Sequence, residues 1–246
     1  MNFIIVIPAR FQSSRLPGKP LLDIAGKPML HHVVERAMAS NADAVYVATD
    51  DERIRSSLES LGDNVVMTSS RHRSGTDRIE EVTRKIGLED DDIVVNVQGD
   101  EPLIPPEVIN QVASDMATHR DARICTLYES LSSEAEVNNP NNVKVVTDDE
   151  GYALYFSRSV IPHKRDDHSI FNDYKRHIGI YAYRTSVLHD FVKWPHGILE
   201  EAEQLEQLRA MANGTRIHVQ KACAEIPAGV DTQEDLDKVR RLLAGE

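Results

Sequence analysis

Four short apolar runs without polar alternation constrain the fold of this chain most strongly. They cover residues 4–7, 44–49, 64–68 and 92–98, and stretches with apolar residues at helical spacing separate them. A strand that reads as a continuous apolar run is typical of a sheet that helices cover on both faces. The alternation of such strands with helices therefore predicts an α/β fold with a doubly wound, mostly parallel sheet.

The pattern changes after residue 120, where short strands with tight turns predominate. Strands are predicted over residues 122–129, 143–147, 152–156 and 175–183. We expect these strands to form a smaller β-rich insertion, residues 122–184, within a single domain that spans residues 1–246. Helices are predicted to follow over residues 185–193, 199–213 and 233–243, and Thr76 is predicted to cap the helix before the fourth strand.

The charge balance argues against two classes of partner. The 246-residue chain has 28 Lys and Arg against 40 Asp and Glu, which gives a net charge of -12. Such a charge disfavours nucleic acids and anionic membranes as partners. Cys125 and Cys223 stand far apart in apolar contexts, which indicates reduced core thiols and not a disulfide or a zinc site. Without a signal-peptide pattern or a membrane-length apolar run, we expect a cytoplasmic protein with no membrane insertion.

A basic loop follows the first apolar run. Pro8 ends the strand because proline has no N–H to donate, and Arg10, Arg15 and Lys19 come next. Open α/β sheets bind ligands at the carboxyl ends of their strands, and three cations at that place suit a polyphosphate. The loop has neither the Walker A pattern nor G-x-G-x-x-G, which disfavours a kinase or a dehydrogenase. The alternative is a solvated basic turn.

Two aspartates are candidates for binding a metal ion. Asp100 lies directly after the fourth apolar run, where hard carboxylate oxygens suit the Mg²⁺ that accompanies nucleotide phosphates. The alternative is an aspartate in a turn or at a helix cap. Asp231 precedes the last predicted helix, and its local sequence alone favours an aspartate at a helix start.

Other polar residues are weaker candidates when each is considered alone. Arg73, Ser74 and Arg78 are candidates to contact a base or a phosphate, and Gln98 to contact a base edge or sugar hydroxyls. For the arginines and the serine, solvent exposure is the commoner alternative. Four further polar residues stand amid apolar segments, where a satisfied polar group is commoner than a ligand: His177, Tyr181, Glu206 and Gln207.

Seven runs of sequence together resemble the 3-deoxy-manno-octulosonate (Kdo) cytidylyltransferase family, also called CMP-Kdo synthetases. The runs are PARFQSSRLPGKPLLDIAGKPML, HRSGTDRIEEV, VNVQGDEPLIPPEVI, NPNNVKVV with YALYFSRSVIP, RHIGIYAYR, LEQLRAM and GVDTQEDLDKVR. They occur in order over residues 4–240 and therefore cover nearly the whole chain. Related sugar nucleotidyltransferases share the first run in a looser form, but do not combine it with QGDEP, YFSR and the HIGIY run.

The resemblance implies a fold, a reaction and a set of site residues. It implies a glycosyltransferase-A-like fold, a homodimer, Mg²⁺ held by Asp100 and Asp231, and sugar-binding and dimer contacts in residues 122–184. The implied reaction joins CTP and Kdo to give CMP-Kdo and pyrophosphate for lipopolysaccharide biosynthesis, with Lys19, Arg10 and Asp100 as catalytic residues. The implied CTP-binding residues are Arg10, Arg15, Lys19, Arg73, Ser74 and Gln98. The implied sugar-acid residues are Gln98, Arg158, His177, Tyr181, Glu206 and Gln207.

The chain departs from the family pattern around the sugar. Residues 163–176 form a shorter and differently charged segment, Ala182 replaces a common glycine, and residues 126–136 diverge. The 8-amino analogue of Kdo is therefore an alternative substrate, with Asp166, Asp167 and Asp173 as candidate partners of its amine or as a solvated acidic loop. The remaining alternatives are a sialic-acid-type cytidylyltransferase and a non-catalytic nucleotide-binding protein.

Overall fold

The structure is a computed structural model that describes residues 2–13, 16–165 and 171–244. The strands are β1 (Ile4–Ala9), β2 (Asp23–Ile24), β3 (Lys27–Pro28), β4 (Ala44–Thr49), β5 (Val65–Met67), β6 (Ile93–Asn96), β7 (Ile124–Ser130), β8 (Lys144–Thr147), β9 (Ala153–Ser157), β10 (Lys175–Arg184) and β11 (Ile217–Lys221). The helices are α1 (Met29–Met38), α2 (Glu52–Ser57), α3 (Gly75–Ile86), α4 (Pro106–Thr118), α5 (Glu134–Asn138), α6 (Thr185–Phe191), α7 (Ile198–Glu203), α8 (Gln207–Ala212) and α9 (Gln233–Ala244). Two 3-10 turns cover Lys19–Leu21 and Glu59–Asn64.

The central sheet is mostly parallel and has the order β11-β7-β10-β6-β1-β4-β5. Strands β6, β1, β4 and β5 are mutually parallel, and β11 is parallel to β7. Strand β10 lies between β6 and β7 and runs antiparallel to both. Strand β8 of the β8–β9 hairpin pairs with Lys175 and Arg176 at the start of β10. The predicted fold class is thus confirmed, and the strands after residue 120 extend the same sheet.

Helices bury both faces of this sheet. In β1, Ile5 and Ile7 join the apolar core that includes residues of α1 and α4, whereas Val6 joins the core that includes residues of α3 and α6. All three side chains are fully buried. Because successive side chains of a strand point to opposite faces, a strand covered on both sides needs an unbroken apolar run.

Three local predictions are wrong. The helix predicted over residues 199–213 is two helices, α7 and α8, because Gln204 has a φ of 52° and such a left-handed backbone ends α7. Helix α3 is capped by Ser74 and not by Thr76, since the Ser74 hydroxyl accepts from the Asp77 N–H. Cys223 is exposed in the segment after β11, so only Cys125 is a buried thiol.

Within the described residues, no helix is both long enough and apolar enough to span a bilayer.

Candidate active site

Gly18 shapes the loop that carries Lys19. Its φ of 68° lies in the left-handed region that glycine adopts without strain, and its N–H donates to the Phe11 carbonyl at 3.2 Å. A Cβ at this position would lie 3.1 Å from the Phe11 ring. The chain then enters the 3-10 turn, which begins at Lys19. Arg15, the second predicted cation of this loop, lies outside the described residues.

The Lys19 ammonium lies between the two aspartates that the sequence singled out. Its Nζ is 2.7 Å from Asp100 Oδ2 and 3.0 Å from Asp231 Oδ1. The Val230 N–H donates to the Asp100 carbonyl at 2.8 Å, which holds the segment before α9 against the end of β6. The Asp235 carboxylate accepts from the Asp231 N–H at 3.1 Å. Backbone hydrogen bonds therefore fix both carboxylates beside one cation.

The carboxylate pair fits a divalent metal ion. Its oxygens already converge on one positive charge, and the Asp100 and Asp231 side chains are 36% and 50% exposed, so a solvated ion can reach them. Mg²⁺ in nucleotide enzymes is commonly held by one or two carboxylates together with substrate phosphates and water. The donor chemistry and the converging geometry thus both suit this ion.

Gly99 brings the ends of β1 and β6 together. A Cβ at Gly99 would lie 2.9 Å from the Pro8 carbonyl oxygen and 3.8 Å from the Ala9 Cα. Only a residue without a side chain permits so close a contact between two backbones. Arg10 follows one of these strand ends and Asp100 follows the other, so this contact sets the distance between them.

The loop pocket, a cavity of about 390 Å³, lies over these strand ends. Its lining includes Arg10, Lys19, Gln98, Asp100 and Asp231. The Arg10 Nη2 is buried and has no hydrogen-bond acceptor among the described residues. Leaving such a donor unpaired costs roughly 1–3 kcal/mol, and more for a charged group. The pocket therefore offers an unsatisfied cation to an anionic ligand.

A buried arginine adds positive charge behind Arg10. Arg78 is 1% exposed and its Nη2 lies 3.2 Å from Asp50 Oδ2. Burial lowers the pKa of Arg78, the nearby Asp50 raises it, and the charge of Arg10 lowers it further. Arg78 lies on α3, where it is buried and not solvated, and it is not one of the residues that line the loop pocket. Like-charge repulsion between the two arginines further favours an anion in the pocket.

The large pocket, a cavity of about 740 Å³, adjoins the loop pocket. It shares Asp100 and Asp231 with that pocket, and its lining also includes Arg158, Arg176 and His177. The two cavities therefore meet at the carboxylate pair. Because two arginines line the large pocket, it is suitable for an organic acid.

Both arginines of the large pocket are held in place by oxygen acceptors. The Arg158 Nε donates to the Glu203 carbonyl at 2.7 Å, and its Nη1 donates to the Pro140 carbonyl at 3.1 Å. The Arg176 Nη2 donates to Glu129 Oε2 at 2.5 Å. Positions fixed in this way reduce the entropy lost when a ligand binds.

His177 is neutral in the folded chain. Burial lowers its pKa to about 3. The Thr126 hydroxyl lies 3.0 Å from His177 Nε2 and 2.7 Å from the Ile180 carbonyl. A hydroxyl has one proton, and the Thr126 hydroxyl donates it in a hydrogen bond to the Ile180 carbonyl. The hydroxyl oxygen therefore accepts from His177 Nε2–H, and Nδ1 carries the lone pair of the neutral ring. His177 can therefore act in the large pocket as a neutral polar group.

A third cavity, of about 240 Å³, contains other predicted residues. Arg73, Ser74 and Glu206 are among its lining residues. Glu206 Oε2 accepts from the Thr76 hydroxyl at 2.8 Å, and burial raises the pKa of Glu206. Ser74 is occupied in capping α3. These residues form a polar patch between the first turns of α3 and α8.

Tyr181, Gln207 and Gln98 complete the set of predicted residues. The Tyr181 ring is 5.3 Å from the His177 ring and 5.7 Å from the Tyr183 ring, and burial raises the pKa of Tyr181. The Gln207 Nε2 is buried and has no acceptor among the described residues. Gln98 lines the loop pocket, and its Nε2 is 3.4 Å from the carbonyl oxygen of Gly179. Gly179 itself lines the large pocket.

Sequence reasoning missed two residues of the large pocket and one residue that supports the metal ligands. Arg176 and Asn142 line the large pocket, and Asp235 holds the backbone of Asp231. Arg176 directly precedes His177, and Asn142 belongs to an asparagine-rich run before β8. The available signal was a cation beside a predicted ligand for Arg176, and a run of amide side chains before a strand for Asn142.

Comparisons with known proteins agree with this geometry. The chain matches the family described as Cytidylyltransferase over residues 4–217. It is 56% identical to a 3-deoxy-manno-octulosonate cytidylyltransferase of Cellvibrio japonicus, over 99% of this chain and 98% of that protein. It is 54% identical to a protein of the same name from Alcanivorax borkumensis, over 100% of both.

Solved structures give the same result. The structure of a CMP:2-keto-3-deoxy-manno-octonic acid synthetase complexed with CTP superposes with a TM-score of 0.92 at 45% identity, over 100% of this chain and 99% of that one. A cytidylyltransferase from Leptospira borgpetersenii superposes with a TM-score of 0.62 at 15% identity, over 100% of this chain and 87% of that one, which shows a shared fold.

Proposed function

The chain belongs to the 3-deoxy-manno-octulosonate cytidylyltransferase family, and we propose that its loop pocket and large pocket bind the two substrates of that reaction. The enzyme transfers CMP from CTP to the anomeric 2-hydroxyl of 3-deoxy-manno-octulosonate, releases pyrophosphate and so serves lipopolysaccharide biosynthesis. The observation that carries the proposal is the meeting of two cation-lined pockets at Asp100 and Asp231.

The loop pocket receives the triphosphate of CTP. Arg10 supplies the buried guanidinium nitrogen that lacks an acceptor among the described residues, and Lys19 supplies an ammonium at the same pocket. A phosphate oxygen satisfies both donors, and their charges stabilise the leaving pyrophosphate. Arg15 joins them by its place in the sequence, and Gln98 contributes an amide near the reacting groups.

Asp100 and Asp231 hold Mg²⁺, in line with the divalent metal that cytidylyltransferases generally use. When bound, the ion supplies charge neutralisation at the phosphates and helps to ionise the attacking hydroxyl. Because Asp100 and Asp231 line both pockets, the carboxylate pair would hold the ion where the two substrates meet. Lys19 lies between the same carboxylates, so it keeps their negative charge compensated until substrate and metal arrive.

The large pocket receives the sugar acid. Arg158 and Arg176 offer guanidinium groups to its carboxylate, and neutral His177 offers a polar contact to its hydroxyls. The resemblance to the family assigns three further residues to the binding of the sugar acid: Tyr181, Glu206 and Gln207. It assigns Arg73 and Ser74 to the binding of CTP. The patch between α3 and α8 that contains Glu206, Arg73 and Ser74 contributes to binding when the substrates are in place.

The chemical step is an in-line substitution at the α-phosphorus of CTP. A bond forms between the C2 oxygen of the sugar and the α-phosphorus of CTP. The bond between the α-phosphorus and the oxygen that bridges it to the β-phosphorus breaks, and the hydroxyl proton passes to water. No covalent enzyme intermediate is needed, so the side chains act by positioning and by charge stabilisation. Lys19 and Arg10 face the leaving group, and Asp100 faces the site of attack.

A homodimer formed through residues 122–184 completes the proposal. Two exposed apolar side chains in this segment support it, Leu154 on β9 (61% exposed) and Val160 after it (37% exposed). Light scattering tests it, since a dimer has twice the 27.6 kDa mass of the chain. We expect Leu154→Glu to lower the measured mass towards that of one chain. An unchanged dimer mass would contradict an interface at Leu154.

The sugar specificity follows the relatives. Curated relatives over the whole chain are named for 3-deoxy-manno-octulosonate. Of the acidic residues considered for an 8-amino sugar, Asp173 is paired with the Lys164 ammonium at 2.8 Å, and Asp166 and Asp167 lie outside the described residues. We therefore propose Kdo, and not its amino analogue or a sialic acid, as the preferred acceptor.

A pyrophosphate-release assay tests the function. We expect release with CTP, Mg²⁺ and Kdo, and slower release when the 8-amino analogue or sialic acid replaces Kdo. Lys19→Met should lower this activity at least tenfold. Lys27→Met is the matched control, because Lys27 forms an exposed ion pair with Glu35 away from both pockets. CTP binding without pyrophosphate release with any acceptor would indicate a nucleotide-binding protein instead.

A further inference from the structure

A second cluster of metal-binding side chains lies outside the two pockets. Asp115 lies in the last turn of α4, His119 directly follows that helix as its C-cap, and His218 lies on the adjacent strand β11. A carboxylate oxygen and one nitrogen from each ring all lie within 4.8 Å of one another. Helix spacing i, i+4 puts the first two side chains on one face, and β11 supplies the third.

The two imidazoles share one buried carboxylate. His218 Nδ1 is 2.8 Å from Asp115 Oδ2, and His119 Nδ1 is 2.9 Å from Asp115 Oδ1. Among the described residues, the ion-pair partners of Asp115 are these two histidines. A fully buried carboxylate without a permanent cation is costly, and a divalent ion would compensate its charge.

Gly151 packs closely against the ring of His218. Gly151 has a φ of 87°, and a Cβ at this position would lie 2.8 Å from His218 Nε2. The His119 ring stacks on the His218 ring at 3.7 Å between centroids, and the His119 side chain is 31% exposed while the other two are nearly buried. The cluster is therefore closed towards the core and open to solvent at His119.

The cluster lies beside the edge strand β11, whereas the candidate active site follows β6 and β1 in the middle of the sheet. Helix α4 starts after the Asp100 loop, and Asp115 comes nine residues after its first residue, Pro106. At 1.5 Å per residue, this is roughly 14 Å farther along the helix. An ion in this cluster would consequently not touch the substrates.

We propose that Asp115, His119 and His218 form a binding site for one Zn²⁺ ion, with water as a fourth ligand. Two imidazole nitrogens favour Zn²⁺ over Mg²⁺, which prefers oxygen donors. Ligand atoms around a tetrahedral zinc ion lie roughly 3.3–3.6 Å apart, so displacements of about 1 Å complete the site. The ion ties α4 to β11 and acts on stability, not on the transfer reaction.

Calorimetry with zinc chloride tests the proposal on the 246-residue chain. The protein is first stripped with a chelator and desalted, and excess Mg²⁺ is present to fill the oxygen site. We expect about one equivalent of Zn²⁺ to bind and to raise the melting temperature. His119→Gln should weaken this binding at least tenfold, and it should fold because His119 is partly exposed. His218→Gln should have the same effect.

His189→Gln is the matched control. His189 also pairs with a carboxylate, at 3.0 Å from Glu80 Oε1, and its side chain is 22% exposed. We expect this variant to bind zinc like the unaltered protein. Co²⁺ in place of Zn²⁺ should give visible absorption bands that His119→Gln lacks. Absence of zinc binding, or equal affinity and stoichiometry in His119→Gln, would overturn the proposal.

Discussion

Replacing Gly99 by alanine should damage the candidate site without changing any of its charged groups. The added Cβ would lie 2.9 Å from the Pro8 carbonyl oxygen, whereas ordinary contacts of this kind begin at about 3.4 Å. The two backbones must therefore separate by roughly half an ångström. Because Arg10 follows one strand end and Asp100 the other, the loop pocket widens between its cation and its carboxylate.

The expected size of the effect follows from that displacement. Overpacking of a well-packed interior costs about 1–3 kcal/mol of folding free energy. For a chain of this length, that loss lowers the melting temperature by roughly 2–12 °C. A misplacement of about 1 Å in an active site can cost a hundredfold in rate. We therefore expect kcat for pyrophosphate release to fall roughly tenfold in Gly99→Ala.

Differential scanning calorimetry and the pyrophosphate assay measure the two effects on the same preparation. Gly197→Ala is the control, since a Cβ at Gly197 meets nothing within 4 Å and the residue lies outside both pockets. Gly99→Ala with the melting temperature and kcat of Gly197→Ala would refute the argument from the contact with Pro8.

Three further predictions concern the charged and titrating side chains. Lys19→Met should raise the Mg²⁺ affinity of the nucleotide-free protein in calorimetry, because its ammonium no longer occupies the carboxylate pair; a lower affinity would contradict this. Arg158→Lys should raise KM for the sugar acid more than KM for CTP, since lysine cannot reproduce the guanidinium's bonds to two carbonyls; equal changes would place it outside the sugar half. Burial lowers the pKa of His177 from 6.5 to about 3, so the unfolded chain binds the extra proton and stability is lost as the pH falls through that window. Urea unfolding at pH 7.5 and pH 5 should therefore show a smaller loss in His177→Gln than in the unaltered protein, and an equal loss would contradict the assignment.

The fold could be predicted where a local pattern has one structural solution. Residues 4–7, which lie in β1, are all apolar. Such an unbroken apolar run is typical of a strand that is covered on both faces. The hairpin of β8 and β9 likewise follows from a turn between two short strands. The alternation of strands and helices then leaves few possible sheets.

The local errors come from interactions that a sequence pattern does not contain. Ser74 and Thr76 are both competent helix caps, and the Asp77 carboxylate selects Ser74 by accepting from its backbone N–H. Gln204 has no feature of a left-handed residue, yet its φ is 52°. Such a conformation is imposed by packing on both sides of the break.

The candidate site shows the same division. The basic loop and Asp100 could be read from their places after β1 and β6, because strand ends of a parallel sheet meet at one edge. Asp231 is 212 positions from Lys19, and local sequence favoured a plain helix start there. Only the resemblance to a family indicated a ligand, and the structure places its carboxylate beside Lys19. The roles of the individual site residues stay predictions.

Product formation by aspartate variants tests the central claim most directly. Under saturating CTP, Kdo and Mg²⁺, we expect Asp100→Asn and Asp231→Asn to lower the rate of CMP-Kdo formation at least a hundredfold with little change in melting temperature. Asp237→Asn should leave the rate unchanged, because Asp237 is as exposed as Asp231 (49% against 50%) but pairs with Arg240 on α9. A near-normal rate in either of the first two variants would contradict a reaction centred on this carboxylate pair.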